Sequence, residues 1–135
     1  MLLQRSSSTV GAMPRVLVVD DNAELLGLVA RVLEDAGYEV TTAQRARTAL
    51  ERIRTDRPDV AVVDVLLPDQ MGYEVASALR AAQVPFFLMS GVFKGGRHGL
   101  DATSRHGAVE YVEKPFSLDL LVEKIARIAA PGPAR

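Results

Sequence analysis

The chain of 135 residues contains no cysteine, which excludes disulfides and thiolate metal sites. Neither charge is in excess. Sixteen Lys and Arg stand against 17 Asp and Glu, the formal net charge is −1, and composition gives no reason to expect a nucleic-acid or membrane surface. No apolar run approaches the length of a bilayer span. The opening residues MLLQRSSSTVGAM lack the long apolar core of a secretory signal. No internal repeat is present. A soluble, cytoplasmic protein is expected. Against these absences stand 48 % hydrophobic and 24 % charged residues, ordinary values for a globular domain. The length suits one domain with a real core and not two.

The pattern along the chain sets the organisation. Residues 1–13 are Ser-rich and aperiodic and read as a disordered leader, with Met13 directly before the first strand. Residues 14–130 read as the folded domain. Residues 131–135 read as a tail or the start of a linker, because Pro131 and Pro133 cannot continue a helix. Inside the domain, short solid apolar runs alternate with amphipathic stretches. VLVVD, YEVTTA, DVAVVDV, PFFLMS and AVEYV read as strands. From Asn22, a good N-cap, Leu25, Leu26, Val29, Val32 and Leu33 fall at helical spacing, and Gly37 follows as a C-cap residue would. Helices are also expected over 45–55 and 71–82, and after Ser117, with Leu118, Leu121, Val122, Ile125 and Ile128 on the buried side. Strands that are apolar throughout are buried on both faces. The fold class is therefore α/β: a doubly wound, five-stranded parallel sheet with helices on both faces.

In such folds the ligand site lies beyond the carboxyl ends of the strands. The first strand ends on Asp20 and Asp21, the third on Asp64 and the fourth on Ser90, and the fifth is followed closely by Lys114. Adjacent like charges repel unless something positive sits nearby. Three carboxylates at one edge suit Mg²⁺ (or Mn²⁺), which takes hard oxygen ligands. A lysine and a hydroxyl beside them can hold phosphate oxygens. The edge suits phosphoryl transfer, where positioning and charge neutralisation dominate.

At this point the chain resembles the receiver domain of two-component response regulators. The resemblance rests on VVDD at 18–21, VVDVLLPDQMG at 62–72, LMSG at 88–91 and YVEKPF at 111–116, and it spans Arg15 to Ala130. It implies a flavodoxin-like strand order 2-1-3-4-5. Asp64 is then the phosphoacceptor. Asp21 and Asp64 would ligate the metal directly, Asp20 largely through water, and the backbone carbonyl of Leu66 would add a ligand. Ser90 would bond a phosphoryl oxygen and Lys114 would pair with phosphate. Ser90 and Tyr111 would form the switch, and the Lys114–Pro115 bond would be cis. The implied partners are a sensor histidine kinase or phosphotransfer protein and a downstream target or output domain. Direct nucleic-acid binding and membrane binding are not implied, and a homodimer is an open option.

Blander readings stand beside these. Asp20 and Asp21 would suit a solvated strand end plus a helix cap, Ser90 a turn, Lys114 the surface and Tyr111 simple packing. Asp69 reads as stabilising the turn after Pro68. His98 and His106, without a third ligand, read as exposed and silent. Gly91 stands where the receiver pattern has alanine, and Gly95, Gly96 and Gly99 fall where a fourth helix would start, each costing roughly 1 kcal/mol inside it. A short helix from near Leu100, after a flexible loop, is expected, and the family's usual dimer surface is in doubt. Three functions compete. The leading one is a phosphorylation-activated switch. The alternative is a pseudo-receiver that binds partners without phosphorylation, against which the full set of site residues argues. The third is a metal-dependent phosphatase or a flavodoxin-like cofactor binder, for which Tyr73 and Phe93 are scant aromatic support.

Overall fold

The computed structural model describes residues 13–65, 67, 69, 72–90, 108–113 and 117–132. Strands β1 (Arg15–Val19), β2 (Glu39–Ala43), β3 (Val60–Asp64), β4 (Phe86–Ser90) and β5 (Glu110–Glu113) form one sheet in the order β2-β1-β3-β4-β5. Every pairing is parallel, with Val19 beside both Ala43 and Val63, and Asp64 beside Met89. The described helices are α1 (Ala23–Asp35), α2 (Ala46–Thr55), α3 (Gly72–Ala81) and α4 (Leu118–Ile128).

Alternation along each strand divides the core in two. Leu17, Val19, Ala61, Val63, Phe86 and Leu88 face α2 and α3, meeting Ala46, Ala49, Ile53, Val75, Ala76 and Leu79. Val16, Val18, Val60, Val62, Phe87 and Met89 face the other way, against Leu26, Val29 and Leu33 of α1 and Leu121 and Ile125 of α4. Two apolar faces on β1, β3 and β4 explain why these strands read as unbroken runs and not as alternating ones.

The helix ends follow local chemistry. The Asn22 side chain accepts the N–H of Leu25, and that of Ser117 accepts the N–H of Leu120. After α1, Gly37 takes a φ of 106°, Gly37 N–H reaches the Glu34 carbonyl and Tyr38 N–H the Leu33 carbonyl. This is the left-handed stop that glycine allows. Helix α3 ends in the same way on Gln83, at a φ of 61°. The Arg57 guanidinium donates to the carbonyls of Ala82 and Gln83 there.

The expectations for the leader over 1–12, the glycine segment 91–99, the helix near Leu100, His98, His106, Leu66, Lys114 and the Lys114–Pro115 bond lie outside the described residues. So do the side chains of Ser90 and Tyr111, whose backbones belong to β4 and β5.

Candidate metal and phosphoryl site

The ends of β1 and β3 are neighbours in the sheet, and this brings three carboxylates together. Asp20, Asp21 and Asp64 each offer an oxygen, and these oxygens lie within 4.8 Å of one another. Asp20 is fully buried, Asp64 is 6 % exposed and Asp21 faces solvent. The solvated strand end considered for the aspartate pair therefore holds only for Asp21. Asp20 Oδ1 accepts the N–H of Asn22 at 2.9 Å, which turns the chain from the strand into α1. The Asp20 N–H donates to the Ala43 carbonyl at 3.0 Å, extending the β1–β2 ladder by one bond past the strand.

Asp64 is fixed from both sides. Val65 N–H donates to the Met89 carbonyl at 3.0 Å, and Gly72 N–H returns to the Val65 carbonyl at 2.6 Å. A Cβ on Gly72 would overlap the carbonyl oxygen of Asp64, so only glycine lets α3 begin this close to the acidic residue.

Beyond the turn role that the sequence suggested, Asp69 reaches across to the start of α2. Its two carboxylate oxygens accept the N–H groups of Ala46 and Arg47, at 2.9 and 3.0 Å. Helix α2 starts after Arg45, which makes no side-chain cap bond. Asp69 supplies the missing cap from 22 residues further along the chain. The Ala46 N–H, then the Arg47 N–H, hold its carboxyl below the usual carboxylate value. Nothing local in the sequence marks this bond, because the partners meet only in the fold.

Chemically, the site is an all-oxygen, acidic cluster with two buried members and one open to solvent. Buried carboxylates side by side are costly unless a cation offsets them. Three hard oxygen donors suit Mg²⁺ or Mn²⁺, which keep several waters and so need an exposed side. The residues present fit such an ion.

The comparisons agree with this geometry. The response regulator receiver domain family matches residues 16–126. The alkaline phosphatase synthesis transcriptional regulatory protein PhoP of Bacillus subtilis is 36 % identical over 124 residues, covering 87 % of this chain and 52 % of that protein. The transcriptional regulatory protein PrrA of Mycobacterium tuberculosis is 38 % identical over 122 residues, covering 87 % and 49 %. The chain thus spans about half the length of these two relatives. Among solved structures, the chemotaxis protein CheY4 of Vibrio cholerae superposes with a TM-score of 0.78 at 31 % identity, over 87 % of this chain and 99 % of that one. A Burkholderia pseudomallei response regulator, solved with a phosphorylated aspartic acid and a calcium ion, gives 0.74 at 25 % identity, over 85 % and 66 %. With the parallel α/β fold, the acidic strand ends and a family match over most of its length, this chain belongs to the receiver domains of response regulators.

Proposed function

We propose that the protein accepts a phosphoryl group on Asp64 from a histidine kinase or phosphotransfer protein, in a Mg²⁺-dependent reaction, and thereby switches a partner-binding surface. The observation that carries this reading is the convergence of Asp20, Asp21 and Asp64 at the strand ends of a receiver domain. The reading takes the sheet order as that of the receiver fold. Asp20, Asp21 and Asp64, with the Leu66 carbonyl, would hold the ion. When bound, it offsets the carboxylate charge and that of the incoming phosphoryl group.

In the transfer, a carboxylate oxygen of Asp64 attacks phosphorus in line with the departing imidazole of a phosphohistidine. The P–N bond breaks and an acyl phosphate forms on Asp64. The sheet does the positioning: Asp64 is held by the β3–β4 ladder and the Gly72 contact, so the nucleophile is placed before the donor arrives. Lys114 would pair with the phosphate and Ser90 would bond one of its oxygens. Movement of Ser90 together with Tyr111 is the two-state element that the new charge biases. The readout is a downstream protein or an output domain, and the protein acts in the cytoplasm.

Intact mass after incubation with a small phosphodonor tests this. One phosphoryl adduct is expected with Mg²⁺, none with chelator and none in Asp64→Asn. An adduct that persists in Asp64→Asn would reassign the acceptor.

A further inference from the structure

We propose that the corner between β2 and α2 is a strut that sets the spacing of the three carboxylates, and that Asp69 is the positioning residue that clasps it. This rests on the Mg²⁺-dependent reading above and extends it to a residue outside the ligand set. The corner touches both halves of the site. The carbonyl of Ala43, the last residue of β2, accepts the N–H of Asp20 at 3.0 Å. Three positions later α2 begins, and the N–H groups of Ala46 and Arg47 grip Asp69 at 2.9 and 3.0 Å. Residues 43–47 therefore hold the end of β1 through a carbonyl and the stretch after β3 through two amides.

The stretch that carries Asp69 is tied together at its two ends. It leaves Asp64 through Val65 and returns at Gly72, whose N–H bonds the Val65 carbonyl. Gly72 in turn packs so close to the backbone of Asp64 that an added Cβ would overlap its carbonyl oxygen. A shift at Asp69 is passed to Asp64 through backbone, while Asp20 stays tied to the same corner. The residue type suits the task. A carboxylate has two acceptor oxygens for two adjacent amides, and its charge faces the positive end of α2. A turn role accounts for neither bond, because both cross more than twenty residues of sequence.

Coupling between clasp and cation is reciprocal. Losing the clasp weakens the ion, and binding the ion tightens the clasp. The test uses the full chain with MgCl₂ as the probe, reading affinity by calorimetry and amide exchange at Ala46 and Arg47. Asp69→Ala is expected to weaken Mg²⁺ by roughly threefold or more, with Asp69→Asn in between because it keeps one acceptor oxygen. Ala49→Gly loosens the buried side of α2 without touching the clasp, and should lower the melting temperature with Mg²⁺ affinity unchanged. In the wild type, Mg²⁺ should slow exchange at the two amides. Asp69→Ala binding Mg²⁺ like the wild type, with those amides deprotected, overturns the proposal and leaves the phosphoacceptor reading intact. If Asp69→Ala does not fold, Asp69→Asn at wild-type affinity overturns it equally. A wild type that binds no Mg²⁺ defeats the phosphoacceptor reading itself, and the proposal with it.

Discussion

The phenol hydroxyl of Tyr38 donates to the carbonyl oxygen of Ala129 at 2.7 Å, joining the start of β2 to the end of α4 across 91 residues. Beside it, Gly132 N–H donates to the Gly37 carbonyl at 2.9 Å. The chain after α4 is thus folded back onto the turn after α1, at the end of the sheet away from the acidic cluster. Tyr38 has no exposed surface, and burial pushes its phenol above the ordinary value of 10.0. The native state therefore holds this proton more tightly than the unfolded chain does. The stability this supplies is complete below about pH 10 and is lost as pH rises through the higher native value. Urea midpoints measured from pH 8 upward should fall above pH 10 in the wild type. Tyr38→Phe should lose about 1–3 kcal/mol at neutral pH, because the Ala129 carbonyl loses its donor. Its midpoint should lack the part of the alkaline decline that Tyr38 causes.

Gln83 carries a left-handed backbone at the end of α3, with its N–H on the Arg80 carbonyl and the Val84 N–H on the Leu79 carbonyl. A side chain in that conformation is strained, and glycine is not. Gln83→Gly should raise stability by about 0.5–1 kcal/mol, after the extra freedom glycine brings to the unfolded chain. Thermal unfolding checks this, and a lower melting temperature would show that the Gln83 side chain contributes more than its backbone strain costs.

These two positions also show what the sequence could and could not reveal. Asn22, Gly37 and Ser117 were legible because caps act within a few residues of themselves. Strands β1, β3 and β4 were legible because burial on both faces leaves unbroken apolar runs, VLVV and FFLM among them. Asp20, Asp21 and Asp64 were legible because a carboxylate after a solid apolar run is unusual. Gln83 was not, since nothing but the fold forces a non-glycine residue into that turn. The long-range bonds of Asp69 were not legible, because its partners lie on α2. The demand on Gly72 was likewise invisible, since it comes from the backbone of Asp64 in a neighbouring element.

Removing one carboxylate should separate repulsion from metal binding. Asp21 is the exposed member of the cluster, so its replacement perturbs packing least. Asp21→Asn should be more stable than the wild type without metal, since one of three mutually repelling charges is gone. It should also lose the Mg²⁺ response. In the wild type a hundredfold excess of Mg²⁺ over its Kd should add about 2.7 kcal/mol by mass action. A mutant less stable without metal, yet with the full response, would contradict the assignment of Asp21.

The lifetime of the signal depends on water reaching phosphorus opposite the Asp64 oxygen. By the receiver resemblance, the side chains flanking that approach are Leu66 and Val92, and neither can hydrogen-bond a water. A long-lived phosphoprotein is the expected outcome. Placing Asn at 66 and Glu at 92 should speed phosphate release on the order of tenfold, a part of what full positioning of a nucleophile supplies. Equal release rates in wild type and double variant would show that water is positioned by other groups.

The most direct measurement locates the phosphoryl group itself. The protein is incubated with a phosphodonor and Mg²⁺, the acyl phosphate is reduced with borohydride, and the peptide spanning β3 is sequenced by mass spectrometry. Reduction converts an aspartyl phosphate to homoserine. The account predicts homoserine at position 64 alone, dependent on Mg²⁺. Label at Asp20, Asp21 or any other residue, or unmodified Asp64 with Mg²⁺ bound, would contradict it.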